Sequence, residues 1–507
     1  MAGSLIIRRA RPVPLTADPV AQVVDVLIRN GRIAAVAESG TAAAGFEDTG
    51  VPEINADGRW LLPGLWDGHV HLLQWARLRS KLDLSAAESA ADLCARLAVI
   101  AAADEGDQPL VGFGHRSAVW PDLPLVADLD AVTGDRPTAL ISGDSHQCWF
   151  NSAALRMLGL PPVSGALSED DWFAIAPQVE RLSARESEHD ACARALQDAA
   201  DRGVVGLVDF EFGDGWRRWP HRFAAGLDRL RIQVSCYADE LPQVLAAGLQ
   251  TGDPLDRSGR LTMGPFKIIS DGSLNTRTAW CCQPYADHGD HPGGDHGQSN
   301  QTPEELLELL QRSRIGGLQV AVHAIGDRAV SAALSAIEAS GARGSIEHAQ
   351  LLQRSDLQRM ARASVVASVQ PAHLLDDRDV AEQVWPDRTD RCFMFASMLQ
   401  AGVTLRLGSD APVAPLDPWL AMAAAVHRSA DDRPAWYADE ALTAQQALAA
   451  STGGVAAVQA GGRGDLVLVD RDPLAGTGSA DAARVLRQLS VGLTVVGGHL
   501  VGGPLSR

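Results

Sequence analysis

Two histidines separated by one residue, His69 and His71, end a long apolar run at residues 61–72. Alternate side chains of a strand point to the same face, so the two imidazoles share one face, about 7 Å apart along the strand. Neutral imidazoles in such a pair suit a divalent transition metal. Taken alone, such a pair more often consists of one buried, hydrogen-bonded histidine and one solvated histidine, so the rest of the chain has to decide.

Further candidate ligands stand at the ends of later predicted strands, and they are Lys267, His323, His348 and Asp410. Each has an ordinary alternative, because a strand-end histidine can be a structural residue and Asp410 can form an Asx turn. Lys267 has apolar neighbours, and a buried unpaired ammonium is costly. It therefore pairs with a carboxylate, reaches out of the core or loses its charge chemically. The joint occurrence of these residues favours a metal site.

The elements that would position these residues alternate between strand-like and helix-like patterns. Eight apolar strands are predicted, at residues 61–72, 204–210, 231–237, 264–269, 319–323, 344–348, 365–369 and 403–408. Helix start signals stand at residues 302–305, 355–358 and 443–446. This alternation favours an α/β fold of the (β/α)8 TIM barrel type, whose active site lies at the carboxyl ends of the strands. A doubly wound sheet uses the same units, so the alternation alone leaves both folds open.

The two ends of the chain predict a second, smaller domain. Short apolar runs with an Asn30-Gly31 hairpin signal fill the first 60 residues, and similar runs stand at 464–470 and 493–498. Because the termini of a domain often lie close together, we predict a small β-sandwich from residues 1–60 and 456–507, with the barrel at 61–455. The first two barrel strands are too far apart for one βα unit, which predicts an inserted subdomain at about 80–195.

The net charge and the cysteine content of the chain indicate which classes of partner it can have. The chain carries 44 Lys and Arg against 63 Asp and Glu, a net charge of −19, which argues against nucleic acid or an anionic membrane surface as the main partner. A small-molecule substrate fits this charge. The seven cysteines are odd in number and scattered, which favours a reducing, cytoplasmic location. No run approaches the roughly 18 apolar residues of a membrane span.

Seven segments carry a resemblance to a known family, and they are residues 62–71, 144–155, 267–274, 322–329, 346–350, 408–412 and 464–470. In their order and motifs they resemble the amidohydrolase superfamily. Within it they are similar to the amidohydrolase 3 branch of YtcJ-like and N-substituted formamide deformylase-like proteins. The chain departs from that branch at Asn275-Thr276, where a Gly-Ser pair is usual.

The resemblance implies a metal-ligand set of His69, His71, Lys267, His323, His348 and Asp410. It implies two divalent ions, with zinc as the expected metal and Lys267, N-carboxylated from carbon dioxide, as their bridge. His69, His71 and Asp410 would bind one ion, and His323 and His348 the other. Metal-activated hydroxide would hydrolyse an amide-type C–N bond of a small molecule. Asp410 would be the catalytic proton shuttle from the water to the leaving nitrogen.

Residues outside the ligand set are expected to contact the substrate. His146 and Asn151, from the insertion, are expected to line the substrate pocket, and the alternative is a polar loop that packs on the barrel. Asp271, Ser273 and Arg277 are expected to hold substrate or to orient the ligands. Members of the superfamily commonly dimerise, which implies a homodimer as a candidate assembly.

Two other functions remain open at this point. A mononuclear deaminase of the same superfamily shares the histidines and the final aspartate, but it usually carries Glu three residues after the third histidine. Gly326 stands at that position, and Lys267 would have no role. A non-catalytic barrel that binds a metal or a ligand is the second alternative. A complete ligand set with a proton-shuttling aspartate argues against it, because binding alone does not need that aspartate.

Overall fold

The chain forms two compact units, Met1–Leu72 with Leu196–Arg507, and Leu73–Ala195. The computed structural model describes residues 3–15, 23–41, 46, 50–79, 81–103, 108–117, 120–143, 147–168, 171–172, 174–176, 178–179, 187–286 and 295–506. The predicted insertion, at about 80–195, falls within the smaller unit. Two helices, Leu72–Leu78 and Glu188–Asp201, run across the sequence boundaries between the units.

The larger unit contains an eight-stranded parallel sheet, with strands Leu65–Val70, Val204–Asp209, Arg231–Cys236, Leu261–Ile269, Val320–Ala324, Gly344–His348, Val366–Val369 and Thr404–Leu407. Each strand pairs in parallel with the next one in the sequence. A bridge between Val70 and Ala411, and a 2.7 Å hydrogen bond from the Asp410 N–H to the His69 carbonyl, bring the eighth strand back to the first. The sequence therefore predicted all eight strands of a nearly closed TIM-type barrel. The first strand was predicted too long, because Trp60–Pro63 forms a separate strand that pairs in the sheet made by the chain ends.

The barrel strands are rich in apolar residues and are buried on both faces. All six residues of Leu65–Val70 and all six of Val204–Asp209 are buried, as expected of parallel strands that are covered on both sides. The strands also approach each other closely at one glycine beside the candidate ligands. A Cβ atom at Gly408 would lie 2.7 Å from the backbone nitrogen of His69, so only glycine fits between the first and eighth strands there.

Helices connect the barrel strands and follow the last of them, at Gly215–Ala224, Leu241–Ala246, Pro303–Ile315, Asp327–Ser340, Arg354–Arg362, His373–Val384, Phe395–Gln400, Pro418–His427, Ala444–Ala450 and Ser479–Arg487. Short 3-10 helices lie at Thr389–Arg391, Ala438–Glu440 and Pro504–Ser506. Thr302 and Thr443 form the predicted capping boxes with Glu305 and Gln446. The start signal at 355–358 is wrong by two residues, because that helix begins at Arg354.

Both ends of the chain contribute strands to one eight-stranded sheet in the larger unit. The strands are Leu5–Pro12, Val24–Arg29, Arg32–Glu38, Glu53–Asn55, Trp60–Pro63, Leu466–Val469, Val491–Val496 and His499–Gly502. The two ends meet where Trp60–Pro63 pairs antiparallel with Leu466–Val469. Asn30 and Gly31 both adopt positive φ in the predicted hairpin turn. Seven of the strands follow one hydrogen-bonded order, and Glu53–Asn55 lies off this order and pairs with Leu5–Pro12. The sandwich arrangement stays a prediction.

The smaller unit contains a five-stranded sheet of its own. Its strands are Leu82–Asp83, Leu110–His115, Thr138–Ser142, Gln147–Phe150 and Leu167–Ser168, and its helices include Ala90–Ala103, Val126–Thr133 and Ser152–Met157. Buried aromatic and aliphatic residues such as Trp149 and Phe150 form its cores. Across the described residues of both units, no helix combines the length and the apolar character that crossing a membrane requires.

Candidate metal centre

The predicted metal ligands converge at the carboxyl ends of the barrel strands. His69 is the second-to-last residue of the first strand and His71 follows that strand, Lys267 lies in the fourth strand, and Asp410 follows the eighth. The Nε2 atoms of His69 and His71 each lie 3.5 Å from Asp410 Oδ1. The Nζ atom of Lys267 lies 3.3 Å from His69 Nε2.

The fifth and sixth strands bring two further predicted ligands to the same place. His323 and His348 face each other edge to face, with ring centroids 4.5 Å apart. The His348 ring lies 5.0 Å from the His69 ring. The structure thus collects all six predicted ligands at one end of the barrel.

Hydrogen bonds fix which ring nitrogen carries the proton in three of the histidines. His69 Nδ1 lies 2.7 Å from Glu347 Oε2, and His348 Nδ1 lies 2.8 Å from the side-chain oxygen of Gln370. Because these oxygens accept hydrogen bonds, the two Nδ1 atoms donate and both Nε2 atoms keep a lone pair. His323 is reversed, since its Nε2 lies 3.2 Å from the Gly272 carbonyl, which leaves Nδ1 as the free nitrogen. Each ring therefore offers one nitrogen to a metal.

Burial keeps these imidazoles neutral. Burial, assisted by the nearby Lys267 ammonium, lowers the pKa of His323 to about 3 and also lowers the pKa of His69. Burial also holds the pKa of His348 well below its usual value. Neutral imidazole is the form that binds a metal, so the three side chains need not lose a proton first.

Asp410 is held ionised in a strained backbone conformation. Its φ is +57°, a left-handed value that favours glycine, and such values persist where the surroundings enforce them. Burial alone would raise the pKa of the Asp410 carboxyl. The adjacent His69 and His71 outweigh burial and hold the pKa well below its usual range. The carboxylate is therefore available both as a ligand and as a proton acceptor.

Lys267 stays inside the site. Its side chain is buried, with Nζ 4.3 Å from the centroid of the Phe210 ring. Burial lowers the pKa of the amine to about 8, and the carboxylates of Glu347 and Asp410 oppose this shift only in part. Of the three alternatives for this lysine, reaching out of the core is therefore wrong. The lowered pKa also increases the share of neutral amine at neutral pH.

Buried acids that the sequence analysis missed hold the ligands in place. Glu347 fixes the His69 ring, and its pKa is lowered to about 2 because hydrogen bonding to His69 and the charge of Lys267 outweigh burial. Asp67 Oδ1 accepts the backbone N–H groups of His69 and Ser409, at 3.1 and 2.9 Å. The signal for both was a charged residue inside a buried apolar strand, which is costly unless it is paired.

A further histidine, His373, was also missed. It is the first residue of the helix His373–Val384, and its Nε2 lies 3.9 Å from Asp410 Oδ2. Among the described residues, two groups could hold a metal, His69 with His71 and Asp410, and His348 with His373 and Asp410. The ligand atoms of each group lie within 4.8 Å of one another. His373 lies on a helix, four residues after the seventh strand, so a search of strand ends overlooks it.

The centre passes a test for metal binding. Within the described part of the chain, His373 Nε2, which faces Asp410 Oδ2 at 3.9 Å, is a buried ring nitrogen without a hydrogen-bond partner. Buried polar atoms are normally satisfied, so an unpartnered nitrogen at this position is notable. Imidazole nitrogens around one carboxylate are donors that zinc and similar divalent ions prefer. The residues therefore fit a divalent metal.

The residues predicted to contact substrate from the fourth strand have different environments. Asp271 is buried and accepts the backbone N–H groups of Ile325, Gly326 and Trp280. Burial raises its pKa to about 7, and its Oδ1 lies 3.4 Å from His323 Nε2. Asp271 is thus placed to orient a ligand, which is one of its two predicted roles.

Ser273 and Arg277 lie in the turn that follows Asp271. The Ser273 hydroxyl lies 2.8 Å from the Thr276 hydroxyl, and Arg277 donates to the Asn275 carbonyl at 3.1 Å. Both side chains are half-buried. Their substrate contacts stay a prediction.

Two residues of the insertion, His146 and Asn151, were predicted to contact the substrate, and the structure describes one of them. His146 lies outside the described residues. Asn151 is fully buried in the smaller unit, where its side-chain oxygen accepts the N–H groups of Thr138 and Ala154. Its side-chain nitrogen donates to Thr133 Oγ1 and the Arg136 carbonyl. These four hydrogen bonds occupy both the donors and the acceptor of the Asn151 amide. Asn151 therefore caps a helix and links neighbouring strands instead of facing a substrate.

Comparison with known proteins agrees with this geometry. A model of the amidohydrolase family matches residues 52–501. The chain is 30% identical to the protein LONG AFTER FAR-RED 3 of Arabidopsis thaliana over 465 residues, which cover 84% of this chain and 78% of that protein. It is 28% identical to N-substituted formamide deformylase of Arthrobacter pascens over 525 residues, which cover 91% of this chain and 93% of that one.

A solved structure extends the likeness to the fold. An uncharacterised metal-dependent hydrolase from Pyrococcus horikoshii superposes with a TM-score of 0.75 at 25% identity, covering 94% of this chain and 99% of that one. The resemblance that the motifs predict is confirmed, and so is the barrel. The match of the family model over most of the sequence, together with histidines and an aspartate gathered at the barrel end, means that this chain belongs to the amidohydrolase family.

Proposed function

We propose that this chain hydrolyses an amide-type C–N bond of a small molecule at a zinc-dependent centre. The observation that carries the proposal is the arrangement around Asp410, whose carboxylate lies 3.5 Å from each of two imidazole nitrogens and 3.9 Å from a third. The N-substituted formamide deformylase relative carries a C–N hydrolase activity in its name, which supports this bond type. The net charge of −19 supports a small-molecule substrate, while the cytoplasmic location and a homodimer stay predictions.

The residues of the centre have separate roles in metal binding, in orienting the histidine rings and in proton transfer. A divalent metal bound by these side chains would supply a nucleophile from water at neutral pH and polarise the carbonyl oxygen of the substrate. Glu347 and Gln370 hold the His69 and His348 rings with Nε2 free. Asp410, kept ionised at neutral pH, accepts the proton from the attacking water. The protonated carboxyl then donates this proton to the leaving nitrogen, which departs as an amine.

Lys267 is proposed to carry a carboxyl group derived from carbon dioxide. Its buried amine, with a pKa lowered to about 8, has a neutral fraction whose lone pair can bond to the carbon of carbon dioxide. The nitrogen loses a proton in that step and becomes a carbamate, which bears a negative charge. That charge would lie beside His69 and would turn the lysine into an oxygen donor for the metal centre.

The deaminase alternative meets a steric obstacle. Its usual glutamate would stand at Gly326, where a Cβ atom would lie 2.1 Å from the Trp280 carbonyl oxygen. The Gly326 N–H also donates to Asp271 at 2.9 Å, which holds the loop in place. The position therefore has no room for a side chain that could protonate a substrate ring, and amide hydrolysis is the better-supported function.

Metal content together with a substrate screen tests the proposal. Full-length protein, purified without chelators, would be analysed for metal and assayed against N-formyl amines, simple amides and N-acyl amino acids. We expect bound zinc and hydrolysis of at least one class, with both lost in a His69→Ala/His71→Ala double variant. His427→Asn is the matched control, because His427 contacts Ser479 on another helix. Bound zinc without turnover on any class would favour the non-catalytic barrel.

A further inference from the structure

Asp377 carries a buried carboxylate one helical turn after His373, on the helix His373–Val384. Its Oδ2 atom accepts a hydrogen bond from the Gln350 side-chain amide at 2.9 Å, and its Oδ1 atom accepts one from the Asn275 side-chain amide at 3.2 Å. Among the described residues, only these two amides donate to the carboxylate. A buried charge is costly unless hydrogen bonds or opposite charges compensate it, so the loss of either donor should be felt.

The two amide donors come from different connections of the barrel. Asn275 lies in a turn, residues 272–278, that follows the fourth strand, and Gln350 follows the sixth strand. The helix that carries Asp377 follows the seventh strand. Asn275 is itself exposed, so its amide reaches from the surface of the turn to a buried acid of the helix. One carboxylate therefore connects the segments that follow the fourth, sixth and seventh strands.

Internal hydrogen bonds make the turn at residues 272–278 a compact unit. The Gly272 N–H donates to the Thr278 carbonyl at 3.2 Å, and the Thr278 N–H donates to the Ser273 carbonyl at 3.1 Å. The Thr276 hydroxyl lies 2.8 Å from the Ser273 hydroxyl and 2.6 Å from the Thr278 hydroxyl. Because these bonds link its two ends and its middle, the turn should shift as a whole when one of its residues is released.

The turn and the helix both reach the metal centre. The Gly272 carbonyl accepts the hydrogen bond from His323 Nε2 at 3.2 Å. On the helix, His373 Nε2 lies 3.9 Å from Asp410 Oδ2. The hydrogen bond that joins the turn to the helix therefore bears on the relative position of two histidines of the centre.

We propose that Asn275 is a positioning residue, whose hydrogen bond to Asp377 holds the turn against the helix and so shapes the substrate side of the centre. This inference rests on the proposed function. Ser273 and Arg277, which are predicted to contact the substrate, stand two residues before and two residues after Asn275. Asn275 also lies where the chain departs from the Gly-Ser pair that is usual in the related branch. Glycine has no side chain to make this bond, so the bond distinguishes this chain from that pattern.

A reciprocal exchange of the two side chains tests the inference. Asn275→Asp removes the donor and sets two acceptors against each other, and Asn275→Ala removes the bond without adding a charge. In Asn275→Asp/Asp377→Asn the bond can form in reverse, because the new amide donates to the new carboxylate while its oxygen still accepts from Gln350. Asn55→Asp is the matched control, since the exposed Asn55 oxygen accepts the Asp57 N–H at 3.0 Å and a carboxylate can do the same.

Full-length, metal-loaded protein would be compared by hydrogen–deuterium exchange, by metal analysis and by steady-state kinetics on the best amide substrate, with circular dichroism to check each fold. In both single variants at position 275 we expect faster exchange at residues 272–278 and in the helix, with unchanged metal content. We expect kcat/KM to fall ~10–100-fold, since a displacement of about 1 Å can cost 10²-fold. The double variant should recover exchange and kcat/KM, and the control should match the wild type.

Three results would overturn the inference. The first is wild-type exchange in both single variants, the second is faster exchange with unchanged kcat/KM, and the third is a double variant no better than Asn275→Asp. A wild type without turnover on any substrate class would remove the proposed function. The exchange data would then still decide, without an activity assay, whether Asn275 positions the turn.

Discussion

At the scale of single residues, the centre depends on pairs of side chains that fix each other. Glu347 fixes His69, Gln370 fixes His348, and Asp271 lies beside His323. Side chains that hold a metal ligand in one orientation typically change metal affinity 10–100-fold when they are lost. The orientation of these three histidines therefore depends on residues that lie outside the ligand set.

Replacing Asp410 with asparagine tests its role as proton shuttle. An amide cannot take up and return a proton, so we expect kcat to fall by about 10²–10⁴-fold, the usual range for general acid–base catalysis. The substitution keeps the shape of the side chain, and the circular dichroism spectrum should be unchanged. Steady-state kinetics on the best substrate would measure the loss, and a kcat near that of the wild type would mean that another group moves the proton.

Replacing Glu347 with glutamine tests how His69 is oriented. The variant removes the negative charge 2.7 Å from His69 Nδ1, so we expect zinc to bind about 10–100-fold more weakly. Competition with a chelator of known affinity would measure this change. Glu338→Gln is a matched control, because Glu338 pairs with Arg359 on the helix surface. Equal zinc affinities in the two variants would contradict the orienting role.

The spacing of residues predicted some of this centre and missed the rest for a physical reason. His69, His71 and Lys267 stand at the ends of strands or inside them, so the pattern of apolar runs located them. His373 lies on a helix, and Glu347 stands directly before the ligand His348, so its side chain points to the other face of the strand. Their roles depend on which side chains contact each other across the barrel. The spacing of residues along the sequence does not predict these contacts.

At the scale of elements, the barrel strands were predictable because burial on both faces leaves continuous apolar runs. The sixth strand, Gly344–His348, and the eighth, Thr404–Leu407, each lie within a few residues of the prediction. Helix starts were less predictable. A polar residue such as Ser355 resembles an N-cap in the sequence although it lies within the first turn of the helix. Asn151 shows the same ambiguity, since a polar residue after a strand can face a ligand or cap a helix.

The capping box at the start of the helix Ala444–Ala450 is expected to contribute to the stability of the protein. The Thr443 hydroxyl accepts the Gln446 N–H at 3.2 Å, and the Gln446 side chain accepts the Thr443 N–H at 2.9 Å. We expect Thr443→Ala to reduce stability by about 1 kcal/mol, the usual cost of losing such a cap. Thermal unfolding would measure the shift, and Thr443→Ser should restore most of it. If the alanine and serine variants melt together, the hydroxyl does not contribute.

At the scale of the whole molecule, contacts within the larger unit link the barrel to the sheet made by the chain ends. Arg231, in the third barrel strand, makes a two-bond contact with Asp465, at 2.6 and 3.0 Å. Asp465 precedes a strand of the terminal sheet, and it also accepts the Gly497 N–H at 2.8 Å. Both partners are largely buried, with side chains 14% and 7% exposed.

Breaking this ion pair tests how strongly it contributes to stability. We expect Asp465→Ala to lower the free energy of unfolding by about 3–5 kcal/mol, because it leaves the Arg231 charge buried without its partner. The double variant Arg231→Met/Asp465→Leu should recover part of the loss, since no unpaired charge then remains. Thermal melts of metal-loaded protein would compare them. A single variant as stable as the wild type would contradict the structural role.

The sheet shared by both chain ends also bears on how the protein is made. Trp60–Pro63 pairs on one edge with Leu5–Pro12, which is synthesised before it, and on the other with Leu466–Val469. The second partner leaves the ribosome roughly 400 residues later, which takes about 20–80 s at ~5–20 residues per second. During that time the nascent chain carries an open, apolar strand edge, the kind of surface that invites association with other chains. Completion of this sheet is therefore a late event of biosynthesis, and the growing polypeptide is a natural client for chaperones.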